Sequence, residues 1–238
     1  MTDEIKQLIT QYHPSQHAID VLQRQRLVIF AGTAGAGKNS VMNGLLKSGK
    51  YHDIVTSTTR EPRDNNGVME QNGVDYIFLQ TDEAVEKLRA GEYIEVAPVH
   101  EKINGVLVSE LEKAEAAGKQ PIIDVDVQGV HTFKSLSDNI TAIFVVPPSY
   151  EEWMRRIKRR YDSEDEFNAA WPIRRESAIK ELEDALAHDY YHFLINEDLD
   201  QAVHSAEGII AHDDKFTQID KSYRVWVENI LRDLKNHI

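Results

Sequence analysis

Cysteine is absent from the 238 residues. That excludes disulfides and thiolate metal sites, and the ten histidines are scattered without the paired spacing of a zinc site, so no structural metal is expected. Long apolar runs are missing as well. The longest, at 27–31 and 140–147, fall far short of a membrane span, and the N-terminus is acidic and polar where a signal peptide would be basic and then apolar. A cytoplasmic location without a membrane partner is the expectation. Basic residues are scarce, 27 against 40 acidic ones, for a net charge of -13. The averaged field of such a molecule repels a phosphate backbone, which excludes a general nucleic-acid binder. The few clusters of arginine, Arg60 with Arg63 and Arg155 through Arg160 continuing to Arg174 and Arg175, therefore point to a small anionic ligand.

With 41% hydrophobic side chains the chain can bury one substantial core. Residues 1–26 read as two short amphipathic helices, carrying Ile5, Leu8 and Ile9 and then Ile19, Val21 and Leu22 after Pro14. They look like an extension placed before the main domain at 27–212. The unbroken run at 27–31 has the character of a parallel strand covered on both faces. Further strands are predicted at 54–59, 76–79, 93–97, 121–127 and 140–146, alternating with helical patterns at 82–90, 109–117 and 150–160. That alternation indicates α/β architecture with crossover helices. Residues 213–238 space Phe216, Ile219, Tyr223, Val225, Val227, Ile230 and Leu231 as a closing amphipathic helix packed on the core. Flexible segments are expected at 64–73 and 161–170, from their Asn/Gly and acidic content.

Directly after the first strand comes Gly32-Thr33-Ala34-Gly35-Ala36-Gly37-Lys38, opening a helix. This is the context of a phosphate-binding loop: glycines turn successive amides toward one anion, the helix N-terminus adds positive potential, and Lys38 reaches the outer phosphates of ATP. The usual Ser or Thr after the lysine is replaced by Asn39, followed by Ser40. The amide oxygen of Asn39 is a hard neutral ligand that can serve magnesium directly or through water.

Other segments follow in a distinctive order. Thr56-Ser57-Thr58-Thr59-Arg60-Glu61-Pro62-Arg63 precedes Asn72-Gly73-Val74-Asp75-Tyr76-Ile77-Phe78, then Tyr93-Ile94-Glu95, Asp124-Val125-Asp126-Val127-Gln128-Gly129-Val130, Val146-Pro147-Pro148-Ser149 and Ile195-Asn196-Glu197-Asp198-Leu199. From about residue 27 to 212 the chain resembles the guanylate kinase family. The resemblance implies a three-layer P-loop NTPase fold with a parallel core sheet, an acceptor-binding region at about 56–103 and a lid at about 161–175. It also implies an ATP- and Mg2+-dependent phosphorylation of GMP to GDP.

Carried across position by position, Arg60, Arg63 and Tyr76 correspond to the clamp on the acceptor phosphate, where guanidinium forks suit a dianion. Thr56 and Glu95 correspond to the readers of guanine. Glu95 can accept from both N1–H and the 2-amino group, whereas adenine offers an unprotonated N1. Asp124 and Asp126 are expected to end a buried strand and to organise magnesium, through Asp124, and the acceptor. Arg156, Arg160 and Arg175 match lid arginines that neutralise charge on the transferred phosphoryl group, and Asn196 matches a residue near the adenine of ATP. The transfer set implied is Lys38, Arg63, Arg160 and Arg175. The likeness fails at 101–106, where Asn104 stands for a phosphate-binding tyrosine and Val106 for a guanine-binding serine. A kinase for a different acceptor and a non-catalytic interaction module are the alternatives, and Lys38 with the lid arginines speaks against the module.

Overall fold

Apolar runs that must be covered on both faces form the buried strands of the computed structural model, which describes residues 1–65, 67–212 and 214–236, with side chains at 65 and 214–221 left aside. In chain order the elements are α1 (Asp3–Thr10), α2 (Gln16–Arg24), β1 (Leu27–Ala31), α3 (Lys38–Leu46), β2 (Tyr51–Asp53), β3 (Ser57–Thr58), β4 (Asp64–Asn65), β5 (Val68–Met69), β6 (Ile77–Phe78), α4 (Thr81–Ala90), β7 (Tyr93–Val99), β8 (Lys102–Leu107), α5 (Val108–Ala116), β9 (Gln120–Asp124), α6 (Val127–Leu136), β10 (Ile140–Val146), α7 (Tyr150–Lys158), α8 (Glu164–Ala187), β11 (Tyr191–Ile195), α9 (Leu199–Ile210) and α10 (Asp214–Asn236). The fold is mixed α/β with parallel central strands, as the alternation of patterns predicts.

The chain divides into two compact units. One comprises Met1–Leu27, Tyr51–Ile123 and His131–Ile140. It contains the sheet β6-β3-β8-β7, the parallel pair β2 and β9, and the hairpin β4-β5. Its core gathers Ile9, Leu79, Leu88, Tyr93, Ile103 and Leu107, against which α1 lays Ile5 and Leu8 and the segment just after it lays Tyr12. Burying one such aliphatic side chain contributes about 1.5–3 kcal/mol. The two N-terminal helices are present as predicted, capped by Thr2 and Ser15.

The other unit comprises Val28–Lys50, Asp124–Val130 and Thr141–Ile238. Here β11, β10 and β1 lie side by side, with β10 parallel to β11 from Ala142↔Tyr191 to Val146↔Ile195. Every residue of β1 and β10 is buried, which is why neither alternates polar with apolar. The predicted C-terminal helix is α10, burying Val227, Ile230 and Leu234; Val225, 57% exposed, does not meet the expectation of packing on the core, and Phe216 and Ile219 lie outside the described side chains.

Four expectations change. The strand at 121–127 stops at Asp124, and Asp126 instead caps α6, its carboxylate accepting from the Gly129 N–H at 2.8 Å. The strand at 54–59 shrinks to Ser57–Thr58. Residues 161–170, read as flexible from their acidity, mostly enter α8. Ser163 caps that helix by accepting from the Glu166 N–H, and three acidic residues complement the positive end of its dipole. Lastly, β8 carries no strand signal of its own. Asn104 and Gly105 disfavour a strand, yet a Cβ at 105 would fall 2.5 Å from the Glu95 carbonyl oxygen, so close pairing with β7 demands glycine there.

Candidate functional site

In the β1-containing unit, the chain leaves β1 through Gly32, Gly35 and Gly37, all at positive φ (136°, 87° and 94°). L-residues rarely adopt such angles, and space forbids side chains too. A Cβ at Gly32 would lie 2.3 Å from the Val145 carbonyl oxygen, and one at Gly37 would lie 2.2 Å from the Asn196 amide nitrogen. These three positions therefore carry no side chain between the backbone and whatever binds there. Lys38 folds back so that Nζ donates to the Gly32 carbonyl at 2.7 Å and lies 3.7 Å from Asp124 Oδ1. The buried hydroxyl of Thr33 has no partner among the described residues.

Two struts hold this loop from distant parts of the chain. The Asn196 side-chain amide donates to the Ala36 carbonyl at 2.9 Å, and the Trp153 indole N–H donates to the Ala34 carbonyl at 2.7 Å. Asn196, expected near adenine, thus supports the loop itself, and the buried Trp153 escaped sequence reasoning because a tryptophan at helical spacing reads as core. Its ring meets Trp171 edge-on, and Trp171 stacks on Phe167, joining α8 to the same cluster. Trp153→Phe is expected to retain the packing, to lower Tm by a few degrees and to raise KM for ATP several-fold; a hydrogen bond of this kind is worth about 1 kcal/mol. Steady-state kinetics with a thermal melt checks this, and an unchanged KM removes the strut role.

A cleft of about 330 Å³ beside the loop is lined by Gly35, Gly37, Ser40, Arg156, Arg160 and Asn196 among others. Both arginines expected one turn apart thus reach the same cleft. Arg156 is oriented by Glu152, which takes its Nε–H at 2.7 Å, and by the Asn196 carbonyl at 3.0 Å. Hydrogen bonds from Arg155 and Arg156 hold the Glu152 carboxyl at about 2, so it stays ionised. Arg175 is not brought there: its guanidinium donates to the carbonyls of Leu234 and Lys235 in the last turn of α10. Asn39 is exposed on the first turn of α3, while its neighbour Ser40 lines the cleft.

Burial pushes the Asp124 carboxyl up, with Lys38 opposing the shift and Asp126 adding to it. Glu181 of α8 is raised for the same reason, Lys38 again opposing it and Asp126 and Asp124 adding to it. Glu181 was not singled out in the sequence because it sits among Glu176, Glu183 and Asp184 on an outwardly acidic helix.

In the β7-containing unit a second cleft, about 270 Å³, gathers Thr58, Arg60, Arg63, Tyr76, Val99, His100, Lys102 and Asn104. The three expected clamp residues are together. Arg60 lies over the Tyr76 ring at 4.9 Å and is gripped in fork-to-fork fashion by Glu70, at 2.7 and 3.1 Å. Glu70, only 9% exposed, also accepts from the Arg63 N–H at 2.8 Å. These bonds pull its carboxyl below the usual range. Neither Thr56 nor Glu95 is among the lining residues. Thr56 accepts from the Ile77 N–H at 3.0 Å, and half-buried Glu95 stands opposite the buried Val106 in the β7–β8 register. Glu70 and Lys102 were missed, Glu70 because a carboxylate next to an expected phosphate clamp has no motif of its own.

Among the described residues no helix is long and apolar enough to cross a membrane. The family profile described as Guanylate kinase matches residues 24–213. A guanylate kinase of Bdellovibrio bacteriovorus is 36% identical over 168 residues, which cover 70% of this chain and 87% of that protein. One of Thermotoga maritima is 34% identical over 188 residues, covering 78% and 86%. The crystal structure of guanylate kinase from Anaplasma phagocytophilum superimposes with a TM-score of 0.58 at 26% identity, covering 79% of this chain and 86% of that one. With a phosphate loop, an arginine-lined cleft beside it and a match that runs through nearly all of the α/β core, this chain belongs to the guanylate kinase family.

Proposed function

We propose that this protein is a cytoplasmic nucleoside monophosphate kinase that transfers the γ-phosphoryl group of ATP to GMP, giving ADP and GDP. The observation that carries the reading is the phosphate loop: three glycines at positive φ, Lys38 at the helix start, and Arg156 and Arg160 in the same cleft. The loop amides and the unspent Thr33 hydroxyl bind phosphate oxygens, and Lys38 exchanges the Gly32 carbonyl for the β- and γ-oxygens of ATP. Arg60, Arg63 and Tyr76, with Lys102 nearby, hold the acceptor phosphate. One of its oxygens then forms the new bond to the γ-phosphorus as the bond to the β,γ-bridging oxygen breaks, and the electron pair leaves on ADP. Arg63 and Arg160 offset charge on the moving group; Arg175 joins them only by giving up its two carbonyls. The segment at 161–175 serves as a lid that excludes water.

Magnesium suits the hard oxygens beside Lys38: Asp124 Oδ1 lies 3.7 Å from Lys38 Nζ, and Asn39 follows Lys38 at the start of α3. Asn39 and Asp124 would hold the ion, and when bound it supplies neutralisation of the phosphate oxygens.

Glu95 is the reader of guanine in this proposal. ADP release measured with GMP, dGMP, AMP, UMP and CMP tests it. GMP is expected to lead, and Glu95→Gln to erode its lead over AMP by about 10- to 100-fold, because a donor then faces a donor at about 1–3 kcal/mol. Equal use of AMP and GMP by the wild type would favour a different acceptor, in keeping with Val106 opposite Glu95.

A further inference from the structure

β7 and β8 keep simple antiparallel register from Val99↔Lys102 to Glu95↔Val106, and then slip, so that Tyr93 stands opposite Leu107. Two steps along β7 answer one along β8. Such a bulge leaves a residue out of the ladder and re-aims the side chains beside it. Glu95 is the residue at which the register resumes.

The bulge is held from outside the family-matched segment, which begins at residue 24. Tyr12, just after α1, sets its hydroxyl against the backbone of Tyr93, donating to the carbonyl at 2.6 Å and accepting from the N–H at 2.9 Å. One hydroxyl thereby satisfies both polar groups of the residue where the register breaks. Burial pushes the Tyr12 phenol up to about 12, so it keeps the proton it donates. The two rings meet edge to face at 6.3 Å. From the other side, the Ser57 hydroxyl reaches the Tyr93 phenol at 3.4 Å and donates to the Gly105 carbonyl at 2.9 Å. Tyr93 is fully buried, and its ring would lie 2.6 Å from any Cβ at Gly105.

We infer that Tyr12 is a positioning residue for acceptor recognition: the N-terminal extension pins the bulge at Tyr93 and so sets the direction of the Glu95 carboxylate. This rests on the reading of Glu95 as the guanine reader. A role in stability alone would lower turnover of every acceptor together, whereas a role in aiming Glu95 acts on the choice between bases.

The experiment is Tyr12→Phe, which keeps the ring and removes the hydroxyl, beside Glu95→Gln and the double variant. Each is assayed for kcat/KM with GMP and with AMP, for KM of ATP and for Tm. Tyr12→Phe is expected to lower the GMP-to-AMP ratio about tenfold, the loss of roughly one good hydrogen bond, with KM for ATP unchanged. In the Glu95→Gln background the same substitution should no longer change the ratio. A parallel loss for GMP and AMP, or a ratio kept by Tyr12→Phe while Glu95→Gln destroys it, overturns the role of Tyr12 and leaves the guanine reading standing. An unchanged ratio in Glu95→Gln overturns both. Should Tyr12→Phe fold poorly, Ser57→Ala tests the opposite support of Tyr93, and a ratio untouched there overturns the aiming role.

Discussion

Lys38→Ala is expected to lower kcat by about 10²- to 10³-fold or more while the protein stays folded, as for removal of one group aimed at developing transition-state charge. The fold depends little on this side chain, whose contacts are one bond to the Gly32 carbonyl and an approach to Asp124. A folded variant with wild-type turnover would refute the assignment. The substitution also carries a pH signature. Lys38 opposes the burial that raises both Asp124 and Glu181, so without it both carboxyls rise further. A carboxyl with a raised native pKa adds stability that is complete below its unfolded value and is lost as pH climbs through the native one. The deficit in Tm of the variant should therefore be larger at pH 7 to 8 than near pH 4. A deficit that is equal at both ends, or larger in acid, would separate Asp124 and Glu181 from Lys38.

The second large effect is expected at Arg60. Arg60→Ala should raise KM for GMP by about 10²-fold, since a bidentate guanidinium contact to the phosphate is lost and a low-exposure carboxylate is left beside the dianion. That carboxylate is Glu70, now gripping Arg60 at 2.7 and 3.1 Å. Adding Glu70→Gln to Arg60→Ala removes the stranded charge and should recover part of the affinity. Glu70→Gln alone should weaken GMP binding more modestly, because Arg60 keeps its place over Tyr76 but loses its second anchor. Titration of the four proteins with GMP, in the absence of ATP, decides this. A double variant weaker than Arg60→Ala would show that Glu70 serves the clamp in a way unrelated to Arg60.

How much of these sites could be read beforehand differs residue by residue. The phosphate loop was legible because its parts are neighbours in the chain: a buried strand, glycines that the backbone conformation requires, and a lysine at a helix start. Arg60, Arg63 and Tyr76 came from the family resemblance rather than from a local pattern, and the structure sets all three in one cleft. Asp126 was legible as important but not in its local setting, since the end of a strand and the cap of the next helix look alike when only two residues separate them. The acidic stretch at 161–170 suggested flexibility, yet those charges sit at the start of α8, where they favour the helix.

By itself, then, the sequence determined the α/β class, the glycine-rich loop after β1 and the two N-terminal helices, all of which are written in local periodicity and spacing. Only the tertiary structure decided what holds them in place. Trp153 reaches Ala34 across 119 positions, Asn196 reaches Ala36 across 160, and Tyr12 reaches Tyr93 across 81. Arg175 is taken up by carbonyls 59 and 60 residues away. A local pattern cannot encode such pairings, because each depends on where packing of the intervening chain brings a donor to an acceptor, and burial then makes leaving either one unpaired costly.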